Sequence, residues 1–307
     1  MNDPIAVPIA SSPRPRTASS GVGSGPVSGT KVVPPSVSSP SPIRISSRQL
    51  DLIASSLSDE ARAVLLLLAE VRLATGHQLA RRLWSADAPT DSRARLARHT
   101  LRRLEDLRVI DRLPRRVGGV RGGSSSIVYC LGPAGRRLLV RLGFQSRRFR
   151  APGERYVAHH LAATEIGVRL FEADRGGELD LIELQTEPRC WRPFLGVMGA
   201  RLILKPDLFV RVGAGALEDR WFVEIDLATE SVATIESKAK VYVSHYREGS
   251  EQNRHGVYPR VIWTVPDRRR AEQIAEALGR LPRGTERIFA VWPYEEVIGR
   301  LSAEART

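Results

Sequence analysis

Cysteine is nearly missing: the 307 residues hold two, Cys130 and Cys190, far apart and without metal-ligand spacing. That excludes a disulfide framework and a cysteine-built zinc site. Lysine is scarce for so basic a chain: of 47 basic residues only four, Lys31, Lys205, Lys238 and Lys240, are lysine. No apolar run approaches the roughly 18 residues of a membrane span. The N-terminus lacks a basic segment leading into an apolar one, so no secretory leader is expected. A glycine-rich nucleotide-phosphate loop is also absent; "VGAGA" at 212–216 reads as a turn between strands. No internal repeat is present. These absences leave a cytoplasmic globular protein as the expectation, and an apolar fraction of 42% agrees.

What is present is positive charge, unevenly placed. The net charge is +13; residues 59–150 carry 20 basic and 8 acidic side chains, whereas residues 151–307 carry 22 and 24. Arginine-rich codon usage would not segregate charge in this way. Guanidinium is a planar, bidentate donor suited to phosphate, so double-stranded DNA is the expected partner. The chain then divides in three. Residues 1–57 are Ser/Pro/Gly-rich and are expected to form a disordered tail. Residues 58–150 and 151–307 read as two domains.

In the first domain "SDEARAVLLLLAEVRLAT" predicts a helix with Ser58 as N-cap and acids in its first turn. "GHQLARRLW" follows, then a longer helix, "TDSRARLARHTLRRLEDLRVI". Leu96, Thr100, Leu104 and Leu107 lie at helical spacing and are expected to pack. The other side carries Arg93, Arg95, Arg98, His99, Arg102 and Arg103. Next comes an alternating stretch around a glycine-rich basic tip with Arg115, Arg116 and Arg121, and a helix opening at Pro133. Three short helices, the third basic, and a basic hairpin resemble a winged helix-turn-helix. The resemblance implies that the third helix enters the major groove and the wing rests on phosphates. An arginine-faced bundle for protein contacts is the other reading.

The second domain alternates helix and strand: "RYVAHHLAATEIGVRLFEA", "LDLIELQTE", "RLILKPDLFVRV", "RWFVEIDLA", "SVATIESKAKVYVSHYRE", "RVIWTV", "RRRAEQIAEALGRL" and "RIFAVWP". Strands apolar on both faces predict a mixed or mainly parallel sheet covered by helices, an α/β domain in an α+β chain. Within it Glu224 and Asp226 alternate onto one strand face, opposite Trp221, Val223 and Ile225. Asp207 opens the preceding strand after Pro206. Acids at the edge of an apolar sheet repel each other and lose hydration unless something positive joins them. A divalent ion such as Mg2+ or Mn2+ is one solution and a lysine another. Lys205, Lys238 and Lys240 all lie near these acids in sequence. His159–His160 reads as an exposed helix turn, Glu230 as a cap or a solvent-facing acid, and His245 as structural. Tyr242, one turn after Lys238, is placed to line the cleft; without a histidine cluster, a covalent tyrosine is not favoured.

"KPD" followed by "EID" on the next strand, in a helix–strand–strand–strand–helix–strand order, resembles the PD-(D/E)xK core of restriction-endonuclease-like proteins. The resemblance implies metal ligation by Asp207 and Glu224, with the carbonyl of Ile225 nearby. The lysine expected two places after Glu224 is Asp226, so Lys238, and after it Lys240, stands in. Glu165 on the preceding helix matches an extra glutamate of the family. Over the whole ordered chain, "YCLGPAGRRLL", "HHLAATEIGVRL", "KPDLFVRV", "FVEIDLATES" and "YPRVIWTV" resemble the replication-relaxation family of plasmids and other mobile elements. What this implies is a DNA-processing role in replication or mobilisation. Catalysis would use Asp207, Glu224, Asp226, Lys238 and Glu165; the alternative is a non-catalytic DNA-binding regulator with an inactive nuclease-like core. A nuclease acting on both strands would need two copies, so a homodimer is expected in that case.

Overall fold

A computed structural model describes residues 45–84, 90–113, 127–144, 153–196, 199–214 and 217–304. The first helix, α1 (Ser47–Ser56), lies inside the stretch expected to be disordered. A reciprocal capping box between Ser46 and Gln49 starts it, Leu50 buries on its inner face, and Arg141 pairs with Asp51. Folded structure therefore begins before residue 58, because one apolar anchor and a cap suffice once a neighbouring helix offers a surface.

The helix α2 (Asp59–Val71) begins at Ser58, whose hydroxyl accepts from the Ala61 N–H, as the sequence predicts. After β1 (Ala74–Thr75) come α3 (Gly76–Leu83) and α4 (Thr90–Asp106). On α4 the buried stripe is Ala97, Leu101 and Leu104, with Leu107 packed against it. Of the expected set Leu104 and Leu107 pack, whereas Leu96 is 54% exposed and Thr100 is not in the core. Both sets have helical spacing, and the one with the small Ala97 admits a close approach while leaving the Thr100 hydroxyl out of the core.

A three-stranded antiparallel sheet in the order β1-β3-β2 adds β2 (Ile110–Arg112) and β3 (Val128–Leu131). Next, α5 (Pro133–Arg141) lies directly on the chain leading into β2. A Cβ on Gly132 would sit 2.3 Å from the Arg108 carbonyl oxygen, and one on Gly135 2.2 Å from that of Val109. Glycine is what lets this helix reach the backbone.

The second part starts with α6 (Glu154–Arg175) and β4 (Asp180–Thr186). A hairpin follows that the sequence pattern does not separate, β5 (Arg192–Leu195) with β6 (Arg201–Leu204). The remaining elements are β7 (Leu208–Ala214), β8 (Leu217–Ile225), α7 (Val232–Glu248), α8 (Ser250–His255), β9 (Arg260–Val265), α9 (Arg268–Leu278), β10 (Phe289–Pro293) and α10 (Val297–Glu304). Five strands form one mixed sheet, β10-β9-β8-β7-β4, with β8, β9 and β10 parallel and β7 antiparallel to both β8 and β4.

Alternation along β8 assigns its faces. Trp221, Val223 and Ile225 pack against α6 and α10, whereas Phe222 packs with Ile235, Tyr242 and Ile274 of α7 and α9. The helical part has its own apolar core. Leu73, Val128 and Cys130 join Val157 of α6 in a smaller cluster between the parts, and residues 45–307 form one compact unit. None of the described helices is long and apolar enough to cross a membrane.

Candidate active site

Strand register assembles the site. Leu208 pairs with Val223 on one side and with Thr186 on the other. Asp207 precedes Leu208, Glu224 follows Val223 and Glu187 follows Thr186, and the Asp207 N–H donates to the Val223 carbonyl at 3.1 Å. Three carboxylates stand in a row at the end of three adjacent strands, where like charges in register repel.

Each acid is answered by a separate base. Arg72 lies 3.5 Å from Glu187. His159 Nε2 lies 2.9 Å from Asp207 Oδ1, and the Ile225 N–H donates to Asp207 Oδ2 at 2.7 Å. Lys238 Nζ lies 3.5 Å from Glu224 Oε2 and 3.0 Å from Glu230, while the Tyr242 hydroxyl donates to Glu224 Oε1 at 2.5 Å. A small cleft lined by Glu70, Arg72, His159, Glu187 and Asp207 opens beside the row.

Burial sets the electrostatics. Glu224 is 3% exposed, and its carboxyl is pushed up to about 8 by desolvation first and by Asp207 second. The Lys238 ammonium opposes this, but at a distance, and it is shared with the closer Glu230. Desolvation also pulls against the charge on Lys238, yet Glu224, Glu230 and Asp207 outweigh it and hold the ammonium above its ordinary range. His159 is raised as well, its loss of hydration overcome by the Asp207 carboxylate. Burial raises Glu187 and Glu70 and drives the Tyr242 phenol well up.

Other residues singled out from sequence lie elsewhere. Asp226 follows the end of β8, and its carboxylate is taken by Arg270 of α9, with Nε at 2.5 Å and Nη2 at 3.3 Å. Arg270 also donates to the Glu230 carbonyl at 2.7 Å, so Asp226 borders the acid row without facing it. Glu165 points the other way and accepts from Gln78 and Arg81 of α3. Lys240 pairs with Glu236, and the Lys205 ammonium sits 4.9 Å over the Trp191 ring. Only Lys238 of the three lysines reaches the acids.

The histidine pair read as an exposed turn is not one: His159 joins the site, and His160 is buried against Tyr156. Glu230, read as a cap or a solvent-facing acid, binds Lys238, and Ser231 caps α7 instead. Tyr242 does line the cluster, and His245 is buried beside Phe194 and Tyr258. Glu187 is not singled out by any motif. Its one signal in the sequence is its place before Pro188 at a strand end, mirroring Asp207 after Pro206.

Asp207 and Glu224 are oxygen donors of the kind a hard ion takes, and both are buried. Each oxygen of Asp207 and Glu224 has one protein partner in the contacts just described, and a carboxylate oxygen has lone pairs for a second. Mg2+ takes one or two protein carboxylates and keeps several waters. Among the described residues no group of three or more His, Cys, Asp or Glu side chains is arranged to hold a metal.

On the helical part, Arg95, Arg98, His99, Arg102 and Arg103 are exposed along α4, and Arg93 is half-buried. Arg103 also donates to the Ser56 carbonyl at 2.8 Å. Arg115, Arg116 and Arg121 lie outside the described residues. No curated protein and no solved structure matches the chain. The family model described as replication-relaxation matches residues 65–261, a span that holds α3, α4, the acid row and Lys238. By that match the chain belongs to the replication-relaxation family.

Proposed function

We propose that the protein binds double-stranded DNA through the arginine face of α4 and cleaves or nicks a phosphodiester at the Asp207–Glu224–Lys238 cluster, in replication or mobilisation. Family membership supports the replication or mobilisation setting. The observation that carries the chemistry is the meeting of two neighbouring carboxylates and an ammonium from the next helix at one sheet end. The order α6, β4, β7, β8, α7, β9, with a β4-β7-β8 meander and a parallel β9, supports a restriction-endonuclease-like core. Three helices and a small antiparallel sheet support a winged helix.

In this reading Asp207 and Glu224 hold Mg2+ or Mn2+. The ion would supply charge neutralisation at the phosphate and a more acidic water. Lys238, held protonated by its carboxylates, suits stabilising negative charge that builds on the phosphate oxygens, or protonating the leaving oxygen, and not proton abstraction. The Ile225 N–H and His159 fix the Asp207 carboxylate from both sides. Asp226 acts at one remove, by tying Arg270 to the Glu230 backbone.

A second reading is a non-catalytic DNA-binding regulator. It is favoured by one observation: every carboxylate oxygen of Asp207 and Glu224 already has a protein partner. Incubating supercoiled plasmid with the protein and Mg2+ or Mn2+ separates the two. Nicking that needs the ion and disappears in Glu224→Ala is the expected result. Equal inertness of both proteins on DNA they demonstrably bind selects the regulator.

A further inference from the structure

The basic side chains of α3 do not face outward as those of α4 do. Arg81 spans two carboxylates of α6: it bonds Glu165, and it grips Glu172 through Nε at 2.8 Å and through Nη2. Gln78, beside it, donates to Glu165 Oε2 and to the Leu161 carbonyl, each at 3.0 Å. The Arg82 guanidinium stacks 3.3 Å over the Phe171 ring. In return Arg175 donates to the Arg81 carbonyl at 2.7 Å.

Further along the same junction, the Thr164 hydroxyl donates to the Leu73 carbonyl at 2.9 Å and that of Thr186 to the Glu70 carbonyl at 2.7 Å. Arg72 donates to the Tyr156 hydroxyl at 2.9 Å. Leu73, Val128, Cys130 and Val157 pack together, buried, at its centre. Bidentate guanidinium–carboxylate pairs and buried side chain-to-backbone bonds resist sliding, because a shift of about one ångström breaks several at once. A loose linkage between parts is instead small, polar and poorly packed.

One helix carries both ends of this arrangement. The turns of α6 from Leu161 to Arg175 hold the helical part, and His159, on its second turn, holds Asp207. The α4 surface packs on α3, which Arg81 clamps to α6.

We propose that this seam makes the helical part and the acid row a single rigid body, so that the DNA position presented to Asp207 and Glu224 lies at a fixed offset from the sequence held by α4, with Arg81 as the positioning residue that sets it. The inference rests on the DNA-processing reading above and adds to it what selects the processed bond. It also assigns Arg81, Arg82 and Glu165 to the seam and not to DNA or to chemistry.

The test does not depend on cleavage by the protein itself. Both native cysteines are buried, so Lys240→Cys, at an exposed position of the helix that bears Lys238, gives one reactive thiol for an iron chelate that generates hydroxyl radicals. The full chain is bound to a duplex that it has itself selected from a randomised pool. Its footprint and the radical scission pattern are then mapped on both strands. Scission confined to one short window at a constant distance from the footprint is expected.

In Arg81→Ala combined with Thr164→Val the footprint should persist while the window widens several-fold. Exchanging the charges, Arg81→Glu with Glu172→Arg and with Glu165→Gln to remove the carboxylate that the new acid would meet, should narrow it again. Diffuse scission around a sharp wild-type footprint overturns the fixed offset and leaves the DNA-binding reading intact. So does a window unchanged in the seam variant, once its melting curve shows a cooperative fold. Absence of any footprint for the wild type overturns both.

Discussion

Two acids two positions apart, Glu224 and Asp226, have different tasks, and the difference is set by which cation each meets. Asp226 and Arg270 form a buried bidentate pair with side-chain exposures of 1% and 10%. Removing one member of such a pair leaves a buried charge unanswered and costs about 3 kcal/mol or more. Asp226→Ala is therefore expected to lower stability in urea titration by about that amount, whether or not DNA is present. A loss of activity at unchanged stability would assign Asp226 to the chemistry instead.

His160 makes a pH-dependent contribution of its own. Burial first, and Arg72 second, lower its pKa to about 4. The unfolded chain binds a proton on this ring near pH 6.5 and the folded one does not until about pH 4, so stability is lost as pH falls through that window. His245, also buried and lowered, acts in the same direction. Glu224, Glu187 and His159 are raised in the fold and pull the opposite way, so the check is a difference. From about pH 7 to about pH 5 the melting temperature of His160→Gln should fall less, or rise more, than that of the wild type. An identical slope would mean that His160 is charged in the fold.

At the scale of elements, glycine decides how close α5 comes to its neighbours. The "GPAG" start places Gly132 and Gly135 against the carbonyls of Arg108 and Val109, where no side chain fits. Gly135→Ala must displace a whole helix from the backbone it rests on. We expect destabilisation by about 1–3 kcal/mol, the range for overpacking, read from the denaturation midpoint. Gly153→Ala, where a Cβ meets nothing, is the control and should be nearly neutral. The same logic of close approach moved the first half of the α4 stripe by one residue, from Leu96 and Thr100 to Ala97 and Leu101, while Leu104 kept its place. Two stripes satisfied the period, and the side that could approach most closely was the one buried.

At the scale of the whole molecule, the arginines described on α3 and on α4 differ in what they face. Arg81 and Arg82 on α3 are engaged by α6, whereas Arg95, Arg98 and Arg102 on α4 face solvent. Of these, the solvent-facing arginines of α4 are the ones that the proposed DNA contact would use to release counterions. Replacing Arg98 and Arg102 with alanine should weaken binding and flatten its salt dependence by about 0.9 in log–log slope for each phosphate that is no longer neutralised. Fluorescence anisotropy at several salt concentrations reads this directly. An unchanged slope would move the DNA-binding surface off α4.

Although α1, the β5–β6 hairpin, α8 and α10 were not, much of the element order was legible without coordinates, because apolar period and capping residues are local properties of the chain. Ser58 before α2, the two-faced apolar strands and the helix bearing Lys238 are examples. So was the pairing of interest in Asp207, Glu224 and Lys238, through motif spacing and the rarity of lysine. What faces what was not legible. Strand register brought Glu187 into line with Asp207 and Glu224. Packing of α6 over the sheet end brought in His159, and α3 drew Glu165 away. Register and helix placement are fixed by summed interactions between segments distant in sequence. A periodic pattern tells which side of an element is buried, and only the assembled tertiary structure determines the partner against which it is buried.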